Sequence, residues 1–371
     1  MRDQDPATHA IFEGECRFDA FHARRRSVRI VTVAMSEHET TSFMEALSAR
    51  ACEALASWEL GAQIPQLLKY RENAVFRVTL RSGEPAALRL HRPGYHNKSA
   101  LVSELSWMAA LREAGLRVPA PVSTPDGRQT VALAANPEFG EQYADIVSWM
   151  TGSPLGQSGV LLAHSRERLV VIFRLLGEAI ARMHAATDAW RPPADFHRPT
   201  WDGDGLLGRQ PLWGRFWDCA GLSPNQAMQL SDLRLFLREK TDALRHLDYG
   251  LIHADLVREN VLIDGDHVEL IDFDDGGYGW RMFDIATALF KNRGEPHYEL
   301  IKAALIDGYR GVRSLPDSAL ETLPLFMVLR SITYIGWIGE RIGTPDAAER
   351  LHRYVADALA LADSLQTGAS R

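Results

Sequence analysis

The chain has 371 residues, of which 46 % are hydrophobic and 24 % charged, with a net charge of −7. That is enough apolar material for a buried core and more than one domain, and the acidic balance argues against a nucleic-acid binder, which carries a basic excess. The three cysteines, Cys16, Cys52 and Cys219, are scattered and odd in number, so they suggest no disulfide framework or metal site and point to a reducing cytosol.

Arg24-Arg25-Arg26 ahead of the run from Val28 to Val33 could pass for a signal peptide, but the apolar part is short and contains Arg29. Met35 is a more natural start, so residues 1–34 are expected to be a poorly ordered extension or an artefact of start-codon choice. No segment is expected to reach the length of a membrane helix. The most apolar stretch, Ile332 to Ile338, is short and flanked by Arg330 and Glu340.

Phe43, Leu47, Ala51 and Leu55 recur at helical spacing and predict a helix over 40–57. Strand-like runs follow at Ile64 to Leu68, Ala74 to Leu80 and Ala86 to His91, with Arg81-Ser82-Gly83 turning between the last two. Asn97 to Ala114 predicts a helix that opens on Asn and ends at Gly115. Thr130 to Leu133 and Ala144 to Met150 complete a five-stranded antiparallel sheet. Beyond Thr151-Gly152 the pattern becomes helical: Arg166 to Ala186 is amphipathic, and 226–247 is a further helix. The stretch 187–222 between them is rich in Trp, Gly and Pro. From Asp284 onward the chain again reads as helices.

The most informative stretch is His253-Ala254-Asp255 with Asn260 five positions further on, followed by Val261-Leu262-Ile263, an Asp264-Gly265-Asp266 turn and Ile271-Asp272-Phe273-Asp274. Loop, strand, turn and strand place Asp255, Asn260 and Asp272 at one edge of a hairpin. Phosphoryl transfer needs such a set: a carboxylate near the attacking hydroxyl, and oxygen ligands for Mg²⁺ on nucleotide phosphates. An isolated Asp-x4-Asn or an Asp-rich turn would mean little. Their joint occurrence resembles the catalytic and metal loops of the aminoglycoside phosphotransferase/choline kinase superfamily, over about residues 60–340. Within it the chain looks closest to the homoserine-kinase-type/RdoA-like branch, with Arg198-Pro-Thr-Trp201 and Leu212-Trp213 through Trp217 supporting that placement.

The resemblance implies an α+β, two-lobed protein-kinase-like fold. A small antiparallel β-rich N-lobe would span 35–150 and a larger, mainly helical C-lobe 151–371. It implies a Mg-ATP-dependent kinase that moves the γ-phosphate to a hydroxyl of a small molecule, an amino alcohol or amino-acid-like substrate. Asp255 would be the catalytic base, or the group that orients the substrate hydroxyl, Asn260 and Asp272 the metal ligands, and His253 and Asp284 structural supports of the loop. The phosphate-covering loop would be Arg71-Glu72-Asn73-Ala74, which has no glycine. Adenine would meet the Ser148 carbonyl and the Met150 N–H.

Where the superfamily carries a phosphate-binding lysine, this chain has Arg89, and no lysine lies between Lys69 and Lys98. Glu104, inside the apolar stripe of its helix, is the natural partner of Arg89; otherwise both edge out to solvent. Asp274, Asp275, Tyr278 and Trp280 follow the metal loop and are candidates to hold a substrate ammonium, with the Trp-rich 190–217 segment as outer wall. A substrate carboxylate would call on Arg198, Arg215 or Arg281. The alternatives are an RdoA-like Ser/Thr protein kinase, or a nucleotide-binding module that has lost its chemistry. Against the first stands the short passage, twelve residues, from Asp272 to Asp284, which leaves little platform for a peptide. No nucleic-acid or membrane partner is expected.

Overall fold

The structure, a computed structural model, describes residues 37–70 and 73–368. The extension at 1–34, and Arg71 and Glu72 of the expected phosphate-covering loop, lie outside them. The fold is α+β: an antiparallel sheet dominates the N-terminal region and helices the C-terminal one.

Strands β1 (Gln66–Tyr70), β2 (Ala74–Thr79), β3 (Pro85–Leu90), β4 (Thr130–Asn136) and β5 (Gly140–Ser148) form one sheet in the order β1-β2-β3-β5-β4. Strand alternation decides its faces: Ala74, Phe76 and Val78 are buried, while Arg77 and Thr79 point outward. The buried face packs under helix α1 (Glu37–Ala56), where Leu47 and Ala51 meet Phe76, Leu88 and Ile146 in a small core.

Helix α2 (Lys98–Glu113) is fixed at its start by Asn97, whose side chain accepts the Ala100 N–H. It ends at Gly115, where φ is +85°, in the left-handed region glycine favours. Its inner face joins the larger core rather than the small one. Trp107 meets Phe273 edge-on at 5.2 Å and donates its indole N–H to Thr187 at 2.8 Å. This helix therefore carries Glu104 to the junction between sheet and helices.

The rest of the chain is built around the larger core. Its elements, in order, are β6 (Ser153–Pro154), α3 (Arg166–Ala189), β7 (Thr200–Trp201), α4 (Gly203–Leu207), α5 (Pro224–Asp242), β8 (Tyr249–Ile252), β9 (Val261–Asp264), β10 (His267–Leu270), β11 (Gly277–Trp280), α6 (Arg281–Phe290), α7 (Tyr298–Arg310), α8 (Asp317–Leu320), α9 (Leu323–Gly339) and α10 (Ala347–Thr367). Helices α3 and α7 touch backbone to backbone: a Cβ on Gly177 would collide with the Leu305 carbonyl, and one on Gly308 with that of Arg174. Strands β9 and β10 form the hairpin that follows the Asp255 loop. The sheet β7-β11-β8, in which β11 runs parallel to β7, has no counterpart in the sequence expectations. β7, at two residues, leaves no alternation to read, and β8 and β11 have only four residues each.

One expectation needs correction. Asp317–Gly339 is long and apolar enough by composition to cross a membrane. However, 78 % of its most apolar window is buried inside the protein, and Phe326, Val328, Leu329, Ile332 and Ile335 belong to the larger core. It packs as a core helix.

Candidate active site

Asp255 lies on the loop between β8 and a single 3₁₀ turn, Arg258–Asn260. Its carboxylate is held from two sides. Arg330, from α9, donates to Oδ1 at 2.6 Å, and the Asn260 amide donates to Oδ2 at 3.0 Å. Arg330 is fully buried and also donates to the Ala254 carbonyl and the Tyr334 hydroxyl. An isolated arginine in an apolar helix must find a partner; that rule, applied to Arg330, was the signal sequence reasoning missed.

The loop's backbone is held by Asp284, completely buried in α6. Its carboxylate accepts the His253 N–H at 2.9 Å and the Ala254 N–H at 2.7 Å. His184 bridges the same carboxylate, at 3.0 Å, to the Tyr309 hydroxyl, at 2.9 Å. Burial, aided by Arg281, lowers His184 to about 4, so the ring is neutral near pH 7. A neutral ring has one N–H, which serves Asp284, and one lone pair, which accepts the Tyr309 proton. His253 in turn reaches the Ile271 carbonyl at 3.0 Å, tying the Asp255 loop to the segment that carries Asp272. Ala254 and Asp272 both have positive φ, 66° and 67°. Such residues cost about 1–3 kcal/mol each and persist where their surroundings over-determine them; at Ala254 the Asp284 bond does so.

Asn260 directs its N–H groups to Asp255, and among the described residues no hydrogen bond takes its Oδ1. Asp272 is about two-fifths exposed, and among the described residues Lys69 is the cation at ion-pair distance, 3.9 Å away. One neutral and one anionic oxygen donor suit Mg²⁺, which keeps several waters and uses substrate phosphates as ligands. Among the described residues there is no group of three His, Cys, Asp or Glu that would suit a closed metal site. The donor set therefore fits a metal that arrives with its nucleotide.

Arg89 is buried at the sheet's inner end. It donates to Asp145 through Nε at 2.7 Å and Nη2 at 2.9 Å, and to Glu104 through Nη1 at 2.7 Å. Asp145, which sequence reasoning missed, also meets His91 at 2.6 Å. Burial would raise the Asp145 carboxyl, but Arg89 and His91 outweigh it and hold it well below the usual range. The signal was the register: Asp145 is the direct cross-strand partner of Arg89. Asn73 is likewise engaged, its side-chain oxygen accepting the Arg92 N–H at 3.0 Å. Ser148 closes β5, its N–H donating to Ala120 at 2.8 Å, and Met150 lies two residues beyond on the connection to the helical region.

The four candidate substrate residues separate. Asp274 is buried and faces His91 and His96, at the joint with the sheet. Trp280 packs against Tyr249 and Phe326, and Tyr278 against Phe196. The two aromatics, two residues apart, share one face of β11, and their ring contacts are with these aromatic neighbours. The three arginines proposed for a carboxylate are also placed elsewhere. Arg198 serves backbone carbonyls of Ala100, Phe273 and Gly276, Arg281 pairs with Asp188, and Arg215 with Asp218.

Asp275 is different. Its Oδ1 accepts the Tyr95 hydroxyl at 2.7 Å and the Trp213 indole at 3.0 Å, while the Trp201 indole holds its backbone carbonyl at 2.8 Å. The Trp213 ring also lies against the Arg330 guanidinium, 4.8 Å from its centroid, and Arg330 holds Asp255. Burial, followed by the charges of Asp255 and Asp274, pushes the Asp275 carboxyl up to about 7. An anionic, aromatic-walled corner thus stands beside the candidate base.

Comparison with known proteins gives a consistent set of likenesses. The profile of the phosphotransferase enzyme family matches residues 63–315. A homoserine kinase of Sinorhizobium medicae is 32 % identical over 232 residues, 60 % of this chain and 62 % of its own length. The chain thus spans less than two thirds of that relative. An uncharacterized protein of Deinococcus radiodurans is 27 % identical over 86 % of this chain and 90 % of its own. Among solved structures, a microcompartment-associated aminopropanol kinase superposes with a TM-score of 0.75 at 30 % identity, covering 86 % of this chain and 98 % of its own. An amicoumacin kinase in complex with AMP-PNP and Ca²⁺ superposes with a TM-score of 0.71 at 21 % identity, covering 89 % and 96 %.

Proposed function

The chain belongs to the phosphotransferase enzyme family, and on that premise we propose that it is a Mg-ATP-dependent kinase of a small amine-bearing alcohol, an amino alcohol or amino-acid-like acceptor. The observation that carries the acceptor is Asp275. Its carboxylate is ringed by Tyr95 and Trp213 and linked through Trp213 and Arg330 to Asp255. A carboxylate beside aromatic faces attracts an ammonium by charge and by cation–π contact. The likeness to an aminopropanol kinase and to homoserine kinases, whose named substrates both carry an amine beside a hydroxyl, supports the same reading.

In this reading Asp275 anchors the ammonium and turns the acceptor hydroxyl toward Asp255. Arg330 and Asn260 fix the Asp255 carboxylate, so it accepts the hydroxyl proton from one orientation. Asn260 Oδ1 and the Asp272 carboxylate would hold the metal, which when bound neutralises charge on the phosphates. The hinge groups of Ser148 and Met150 would receive the base.

The state of Asp275 sets a pH signature. Below about pH 7 the carboxyl is protonated and cannot pair with an ammonium, while an alkyl ammonium stays charged. The acceptor KM is therefore expected to rise about tenfold per pH unit as pH falls below that value, and to level off above it. Asp275→Asn is expected to raise the acceptor KM at pH 8 by about 10–100-fold and to flatten this dependence, with the KM for ATP unchanged. Steady-state kinetics with 1-amino-2-propanol and homoserine between pH 5.5 and 8.5 check both. An acceptor KM that ignores both pH and the substitution would remove Asp275 from the pocket.

A further inference from the structure

We propose that Lys69 is the cation that meets the nucleotide's polyphosphate above Asp272, the position left open by the commitment of Arg89 to its own carboxylates; this rests on the Mg-ATP reading above. Lys69 lies on edge strand β1, one residue from its end, and pairs with Val75 of β2. Its ammonium crosses to within 3.9 Å of Asp272 Oδ2, with both side chains close to half exposed. Among the described residues no other lysine or arginine stands at ion-pair distance from Asp272.

Arg89 is differently placed. All three of its nitrogens donate to Asp145 and Glu104, and its side chain is 9 % exposed. Moving it to a phosphate would cost two buried carboxylates their shortest bonds from a guanidinium, leaving Asp145 with His91 and Glu104 with Arg198 at 3.8 Å. Lys69 has the opposite properties. A half-exposed pair at this distance is weak, so its ammonium can leave Asp272 for phosphate oxygens at little cost. A lysine on a flexible stem also suits a ligand that comes and goes.

This account predicts two effects of opposite sign. Lys69→Met is expected to weaken binding of Mg-AMP-PNP about tenfold, through loss of a charge-assisted contact. The same change is expected to strengthen binding of Mn²⁺ alone, because the cation competing for Asp272 is gone. Lys69→Arg is expected to stay near wild type in the first assay, and the melting temperature to stay unchanged in all variants, as an exposed pair contributes little to stability. Isothermal titration of the full-length chain with each ligand reads these values. Lys69→Met binding Mg-AMP-PNP within twofold of wild type would overturn the inference while leaving the kinase reading intact. If the wild-type chain itself bound no Mg-AMP-PNP, both would fall together.

Discussion

Asp255→Asn is expected to lower kcat by about 10²–10⁴-fold while leaving the affinity for Mg-ATP within a factor of about two, the range for loss of a general base. Asparagine keeps an oxygen for Arg330 and the side chain's size; it gives up the bond from the Asn260 amide to Oδ2, but that amide still donates to the Asp255 carbonyl, so the loop keeps its shape. What it loses is the ability to take a proton. The wild-type geometry makes this a clean test because Asp255 does not act alone. Arg330 at 2.6 Å and Asn260 at 3.0 Å aim its two oxygens. The loop around it is anchored separately, through Ala254 and His253. Turnover and nucleotide binding should therefore respond to different substitutions. Single-turnover rates together with nucleotide titration measure the split. An Asp255→Asn enzyme that turns over at the wild-type rate would take Asp255 out of the chemistry.

The second large effect is expected at Asp284. Replacing it with Ala leaves two backbone N–H groups and a buried histidine without their acceptor. Breaking a buried hydrogen-bonded charge costs about 3–5 kcal/mol, a large share of a protein's net stability. Chemical denaturation should show that loss, and turnover should fall with it because Ala254 is no longer held at positive φ. Asp284→Asn keeps one acceptor oxygen and should recover part of the stability. If Asp284→Ala unfolded at the wild-type denaturant concentration, the loop would not depend on this carboxylate.

Much of this fold was legible because local rules and tertiary packing agree. The alternating apolar residues of β2 and β3, the Asn97 cap with Gly115 at the other end, and the apolar stripe of α3 each predict their element with small errors at the ends. The strand expected from Ala144 begins at Gly140, and the helix expected to end at Ala186 runs to Ala189. What stayed hidden is what distant segments bring together. Asp145 sits 56 residues from Arg89 yet bonds it twice. Tyr95 and Trp213 converge on Asp275 from segments on either side of α2 and α3. Lys69 on β1 comes within 3.9 Å of Asp272, a meeting that spacing along the chain does not show. Tyr278 and Trp280 were drawn toward the pocket by their nearness in sequence to Asp272. The pairing of β11 with β7 and β8 carries them into packing contacts instead.

The most direct test of the central claim is ADP release by the purified chain with Mg-ATP, measured over a panel of 1-amino-2-propanol, ethanolamine, homoserine, an aminoglycoside, amine-free diols and casein. The account predicts release that requires Mg²⁺, appears with an amine-bearing small alcohol, is weak with the diols, and is accompanied by a phosphate monoester on that alcohol. Phosphate transferred to casein but to no small alcohol, or tight Mg-ATP binding without release on any acceptor, would contradict it.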